Sequence, residues 1–325
     1  MRGSPYMRRI VSTLIVLGLI LIQAAWAQDG SKAAKIEELL GLYHSYGYFN
    51  GSALVAEKGQ VIYKKGFGLA HMEWQIPNEP DTRFRIGSIT KQFTAMLILQ
   101  LVEKDKLKLD GKITDYLPDY PKKQGEKVTI HQLLNHTSGI PSYTGLPDFI
   151  SKRSREPSTP QDFLKLFNEL PLEFEPGSKF RYNNSGYFLL GAIIEKVAGK
   201  PYEKVLQENI LDPLNMKDTG YDHHATILAK RAAGYERRLS GYRTAPYLDM
   251  SLPYAAGSLY STVEDLYLWD QALYTDKLLS PKLKELLYRP NLENYAYGWA
   301  VRKIAADQAG GGGTTIGHGG GINGF

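Results

Sequence analysis

Ser88 and Lys91 stand three residues apart in the run Ser88-Ile89-Thr90-Lys91. On a helix that spacing puts both side chains on one face. A serine hydroxyl is a weak nucleophile until an adjacent base takes its proton. A lysine amine can be that base if burial and a positive environment lower its pKa. Residues 95–102 (AMLILQLV) are apolar nearly all round, the pattern of a helix buried on every side. The pair would therefore open a buried helix. There the helix dipole and free backbone N–H groups favour developing negative charge. For Ser-x-x-Lys alone, the alternative is an N-cap serine with a surface lysine.

Two further elements carry chemistry. Tyr182 and Asn184 lie in Phe180-Arg181-Tyr182-Asn183-Asn184-Ser185, between a turn and a helix. Tyr182 can shuttle a proton if nearby cations lower its pKa. Asn184 can donate to a carbonyl and accept from Lys91. A buried tyrosine followed by an N-cap asparagine is the competing reading. Farther on, Thr314-Thr315-Ile316-Gly317-His318-Gly319-Gly320-Gly321 reads as a strand entering a glycine-rich stretch. Glycines there let a substrate lie against backbone. A flexible loop with a solvated histidine is the alternative. Adjacent His223 and His224 point apart on a helix or strand, so they do not make a metal pair, and no metal or other cofactor is expected.

These elements need a frame. Residues 49–57 and 60–65, joined by Lys58-Gly59, read as a hairpin. A loop to residue 84 precedes a helix from Gly87-Ser88 to about residue 104. Short helices and loops then run to about residue 249. Thr159-Pro160 opens one helix, residues 185–198 form another ended by Gly199 and Pro201, and Ser261-Thr262-Val263-Glu264 is a capping box for a helix to about residue 273. Ser280-Pro281 opens one more, and residues 297–303 and 314–316 look like strands. Strand pattern thus lies at both ends and helical pattern between them. This predicts an α/β domain from residues 28–90 and 255–325, with a mostly helical domain over 91–254.

Residues 1–27 read as an address. Met7-Arg8-Arg9, an apolar run over 10–22 and Ala25-Trp26-Ala27 describe a secretory signal peptide, with residues 1–6 a vector-derived leader or a mis-assigned start. Ser12, Thr13 and Gln23 break a run already short for the ~20 residues of a bilayer span. The 325-residue chain has a net charge of +5, but this segment holds three arginines and no acid, so the remainder carries +2. A nucleic-acid partner loses its main support. Zero cysteines remove disulfides, thiol nucleophiles and cysteine–zinc sites. The expected location is secreted or periplasmic, without a stable membrane span after cleavage.

Ser88-x-x-Lys91, Tyr182-x-Asn184 and His318-x-Gly320, in that order, resemble the serine beta-lactamase and penicillin-binding-protein-like superfamily. The resemblance is nearest the branch of class C beta-lactamases, DD-peptidases and family VIII esterases. Residues 132–141 (QLLNHTSGIP) and 256–262 (AGSLYST) also look like that branch. It covers about residues 49–325. It implies an α/β, beta-lactamase/transpeptidase-like fold, an antiparallel sheet flanked by helices plus the helical insertion. It also implies acyl transfer through an acyl-enzyme at Ser88. Lys91 and Tyr182 would move the proton, and Asn184 would hold the substrate amide and Lys91. The N–H groups of Ser88 and Gly321 would form the oxyanion hole.

Two departures qualify it. His318 and Gly319 stand where beta-lactamases mostly carry lysine and threonine. A fixed cation is replaced by one whose charge changes near neutrality, so His318 facing a substrate carboxylate would make anionic substrates pH-sensitive. The chain also stops directly after this element, where the fold is expected to continue with a strand and a C-terminal helix. The expected function is an exported serine hydrolase cleaving a beta-lactam, a D-alanyl peptide or a small ester. The alternative is a non-catalytic penicillin- or peptidoglycan-binding protein.

Overall fold

The computed structural model describes residues 32–239, 241–305 and 312–325. The stretch expected to be a signal peptide, 1–27, lies outside them. Packing divides the chain into two compact units, one ending at Pro80 and one spanning Asp81–Phe325. Among the described residues no helix is long and apolar enough to cross a membrane.

The first unit opens with a helix over residues 32–45 (α1). The predicted hairpin follows as β1 (Gly51–Glu57) and β2 (Gln60–Phe67), antiparallel with Glu57 opposite Gln60. Its two-residue turn needs positive φ at both positions, and Lys58 and Gly59 have φ of 50° and 73°. The stretch read as loop carries short strands as well: β3 (Leu69–His71) and β4 (Ile76–Pro77) pair in this unit, and β5 (Phe84–Arg85) begins the second.

The second unit is built round α2 (Thr90–Glu103), buried from Thr90 to Leu101. A helix with no wet face needs apolar partners all round, and it has them. Trp269 on α6 (Val263–Leu273) stacks on Phe93 at 4.3 Å and donates its indole N–H to Gln92. On another side lies α5 (Asn184–Ala198), with the short turn Tyr254–Ala256 packed against both helices. Thr94 pins that turn by donating to the Ala255 carbonyl at 2.7 Å. Smaller helices, α3 (Ile130–Leu134) and α4 (Pro160–Leu164), precede α5, and α7 (Pro281–Tyr288) follows α6.

Several helix ends follow the predicted caps. Thr159 caps α4, and Gly199 ends α5 at φ 68°. The cap of α6 is shifted by one residue: Thr262 accepts from the Asp265 N–H, because Ser261 is used in a strand. The middle of the chain also holds strands that periodicity did not predict. β6 (Gly220–Tyr221) and β5 flank β9 (Leu259–Ser261) in an antiparallel sheet, and β7 (Tyr235–Arg238) with β8 (Gly241–Thr244) makes a hairpin. Strands of two to four residues are too short to show a period of two. β10 (Ala300–Ile304) and β11 (Gly313–Gly317) pair antiparallel, delivering His318 directly after β11.

Two devices fix the approach to Ser88. The Ile86 N–H donates to the Leu259 carbonyl, extending the β5–β9 ladder to the residue before Gly87. Arg85 on β5 and Arg231 both bond the fully buried carboxylate of Asp222, each at 2.6 Å. Paired this way, the buried charge braces the strand rather than weakening it.

Gly191 on α5 faces the Tyr254–Ala256 turn, and a side-chain carbon there would run into the Tyr254 ring and the Ala255 methyl. Gly191→Ala should cost about 1–3 kcal/mol, as overpacking of a dense core does. Its urea midpoint should fall at an unchanged denaturant slope, and an unshifted midpoint would contradict this contact.

Candidate active site

Ser88 sits in a single 3-10 turn, Gly87–Ile89, that runs into α2. The residue in the N-cap position of α2 is Ile89, not Ser88. The Ser88 Oγ lies instead 3.0 Å from the Lys91 Nζ. The serine is therefore placed by the turn and aimed by the lysine.

Lys91 is wholly buried. Its amine contacts three oxygens: Ser88 Oγ, Asn184 Oδ1 at 2.9 Å and the Ala256 carbonyl at 2.7 Å. Burial pushes its pKa well below the usual lysine value. A neutral amine has two N–H bonds and one lone pair. A side-chain amide oxygen and a backbone carbonyl can only accept, so they take the two N–H bonds. The lone pair is left for the Ser88 hydroxyl proton, and the contact then runs from Ser88 to Lys91. In the charged form all three oxygens accept. The pocket satisfies both protonation states, as a proton acceptor that must later give its proton back requires.

The second element is held from the loop that follows α3. Asn183, rather than Asn184, caps α5 by accepting the Gly186 N–H at 2.8 Å. That releases Asn184 to turn its oxygen to Lys91, while its amide N–H₂ donates to Thr144 at 3.3 Å. The Asn184 N–H donates to Ser142, and the Ser185 hydroxyl donates to the Pro141 carbonyl. Tyr182 lies with its ring 4.9 Å from the Lys91 amine. Its hydroxyl is pushed up to about 12 by burial, partly offset by a hydrogen bond with Ser88. The sequence reading made a lowered tyrosine conditional on nearby cations. Burial drives Lys91 toward neutrality, and Tyr182, though 38% exposed, is pushed up rather than down, which favours amine and phenol over ammonium and phenolate.

The third element lies edge to edge with the nucleophile turn. A side-chain carbon at Gly320 would collide with the Ile86 carbonyl. One at Gly87, whose φ is +49°, would lie 3.0 Å from the Gly321 nitrogen. Glycine is needed at both for the backbones to meet. His318 is engaged at both ring nitrogens. Nδ1 lies 2.6 Å from the Gly319 carbonyl, which can only accept, so Nδ1 carries the proton. Nε2 lies 2.8 Å from the Tyr295 hydroxyl, from which a neutral ring accepts and to which a charged ring donates. Burial lowers the His318 pKa, against the Gly319 bond that raises it. In this arrangement the ring bridges two protein groups, and burial favours its neutral form. His223 and His224 part as expected, one to Glu203 and the other to the Leu248 carbonyl.

Ser88, Asn184 and Gly321 open onto one cleft of about 730 Å³. Its walls include Tyr143, Phe149, Leu248, Pro253 and Ile322, with Thr144, Ser154 and Asn323 as polar points. All five site side chains and both glycines predicted from sequence thus meet around one place. The sequence reading left Ala256, Thr144 and Tyr295 without roles. Ala256 and the loop residues bonding α5 lie inside or beside the two extra signature stretches, which was the available signal.

The family described as Beta-lactamase matches residues 26–325. A penicillin-binding protein of Bacillus subtilis is 34% identical over 310 residues, covering 89% of this chain and 66% of its own length. A teichoic acid D-alanine hydrolase of Staphylococcus aureus is 28% identical over 259 residues, covering 78% of this chain and 63% of its own. The chain thus spans about two thirds or less of the curated relatives it matches. The crystal structure of a penicillin-binding protein from Bacillus halodurans superposes with a TM-score of 0.73 at 34% identity, covering 81% of this chain and 82% of that one.

If Lys91 is the base, kcat/KM rises with pH as the amine loses its proton, and falls as pH drops through the lowered Lys91 pKa. Lys91→Arg keeps the charge but cannot give up a proton. It should lose at least ~10²-fold in kcat/KM, the lower end of what a general base contributes. A pH–rate series on both proteins checks this. An arginine variant within about tenfold of wild type, a difference of ~1.4 kcal/mol, would make Lys91 an electrostatic neighbour only.

Proposed function

The chain belongs to the Beta-lactamase family and has its α/β fold of helices and antiparallel strands, and on that premise we propose that it is a serine hydrolase acting on an amide or ester through an acyl-enzyme at Ser88. The observation that carries this is the Lys91 amine, with two carbonyl-type acceptors on its N–H bonds and the Ser88 oxygen at 3.0 Å.

The steps follow from the groups present. Ser88 Oγ attacks the substrate carbonyl carbon while its proton passes to the Lys91 lone pair. The oxyanion meets the backbone N–H groups of Ser88 and Gly321. Removing one such donor typically costs ~10²–10³ in rate. The proton then travels through the Tyr182 hydroxyl to the leaving nitrogen or oxygen, and the carbon–leaving-group bond breaks. Water, deprotonated by the same network, releases the acyl group and restores Ser88. A phenol near 12 keeps its proton until the leaving group takes it.

The cleft supports a substrate whose acyl side is apolar or weakly polar, because its described lining is aromatic, aliphatic and neutral polar. His318 already serves Gly319 and Tyr295, which favours neutral esters and amides over penicillins carrying a carboxylate. The relative named as a D-alanine hydrolase is consistent with an ester or amide of a small acyl group. Export to the periplasm or cell exterior is proposed on the pattern of residues 1–27, as is the grouping of 28–90 with 255–325 in one domain.

Ser88→Ala should abolish turnover and covalent labelling and leave the thermal midpoint within about 2–4 °C, since a surface-side hydroxyl is within about ±0.5 kcal/mol. A labelled Ser88→Ala protein would refute the mechanism. Incubation with a fluorescent penicillin, followed by intact mass, separates turnover from a persistent adduct. A persistent adduct with every substrate class would favour the binding-protein alternative.

His318→Lys should raise kcat/KM for a carboxylate-bearing substrate relative to a neutral p-nitrophenyl ester. The expected gain is about fivefold or more, the scale of a charge-assisted hydrogen bond. An unchanged ratio would show that position 318 does not face the substrate.

A further inference from the structure

His136 belongs to none of the three catalytic elements, yet it grips the second from both sides. Its carbonyl accepts the Arg181 N–H at 2.9 Å, and its ring Nδ1 accepts the Asn183 N–H at 3.1 Å. Tyr182 lies between those two anchors, and its ring is 4.3 Å from the imidazole. His136 is 1% exposed. It stands just past the end of α3 with φ +62°, a conformation that histidine and asparagine tolerate better than most residues.

The protonation state follows from the partners. A backbone N–H can only donate, so Nδ1 must present its lone pair and the proton must sit on Nε2. Among the described residues that nitrogen takes no hydrogen-bond partner. Around the ring stand Tyr295 at 4.6 Å, Tyr187 at 5.1 Å and Phe180 at 5.9 Å, besides Tyr182. The charged and titratable groups that face it are Lys91 on α2, His318 after β11, and the phenols of Tyr182, Tyr187 and Tyr295. None is an anion under ordinary conditions, so nothing offsets the cost of an imidazolium. A second proton would also turn Nδ1 from acceptor into donor against the Asn183 N–H.

We propose that His136 is a positioning residue that, as a neutral imidazole protonated on Nε2, holds Tyr182 and Asn184 in register with Ser88 and Lys91. It acts through Tyr182 and Asn184 and touches no substrate. The inference rests on the serine-hydrolase reading for its rate consequences. Burial lowers the His136 pKa well below the ordinary histidine value, in keeping with this state.

Three variants separate a hydrogen-bond role from space filling. Asparagine can place an oxygen near the Nδ1 position and accepts the left-handed backbone. Glutamine and leucine fill the volume better but put no acceptor there. The rate of Ser88 acylation by a fluorophosphonate probe and kcat for an ester are measured on the full chain, with the thermal midpoint as a folding control. His136→Leu and His136→Gln should lose about 30-fold or more in acylation and kcat, short of the ~10²-fold that ~1 Å of misplacement costs. KM should move less. His136→Asn should recover most of that loss. Nitrogen-15 NMR on the wild type should show the Nε2–H tautomer at pH 7 and still at about pH 6, where a solvated histidine near ~6.5 would be mostly protonated.

A ranking by size, with asparagine worst, overturns the proposal, as does an Nδ1–H tautomer or an imidazolium at pH 7. Absence of acylation in the wild type overturns the serine-hydrolase reading itself. An acylated wild type matched by His136→Leu overturns only the role of His136.

Discussion

A primary amine with no access to water governs this site. Burying an ammonium is expensive unless it is paired or surrenders its proton. Among the described residues Lys91 has no carboxylate partner. It has three oxygens, supplied by the nucleophile turn, the start of α5 and the Tyr254–Ala256 turn. Each must arrive within hydrogen-bond distance or the amine is left unsatisfied. The three pieces of chain that meet at Lys91 are the pieces whose packing defines the second unit. Catalytic chemistry and structural closure thus rest on one nitrogen.

The surrounding structure can be understood as support for those three oxygens. α2 is buried along its length, so it fixes the Lys91 backbone. Asp222 braces β5, which carries the chain into Ser88. Thr94 holds the Ala255 carbonyl and so the next carbonyl, that of Ala256. The loop after α3 holds the start of α5 through Ser142, Pro141, Ile140 and His136. A hydroxyl and an amine a few tenths of an ångström apart from this geometry would still share a helix face but would not share a proton. That sensitivity explains why so many hydrogen bonds serve two adjacent residues, Asn183 and Asn184.

Tyr182 and His318 show the same physics from the other side. Each was read from sequence as a group whose charge matters. In a low-dielectric setting beside a buried amine, both are driven toward neutral forms, the phenol upward and the imidazole downward. A cluster of neutral acids and bases can pass a proton without ever holding a large net charge. That suits attack on an uncharged carbonyl in a cleft with neutral walls.

Sequence alone brought out the residues on which the proposed chemistry rests. Ser88 and Lys91 share a face because three residues are nearly one helical turn. The all-apolar run after them already implied a buried amine. Turn residues located the hairpin at Lys58-Gly59 and the ends of α4 and α5, since caps and positive φ are local matters. The short strands β3 to β9 were hidden, because two to four residues show no period and their pairing is non-local. Which asparagine caps and which bonds Lys91 was equally hidden: Asn183 and Asn184 are adjacent and chemically identical. Only the tertiary structure decided between them, by setting one over the Gly186 N–H and the other over the amine. It also set the direction in which the pKa values of Tyr182, His136 and His318 shift, because desolvation depends on what packs around a group, and no spacing along the chain records that.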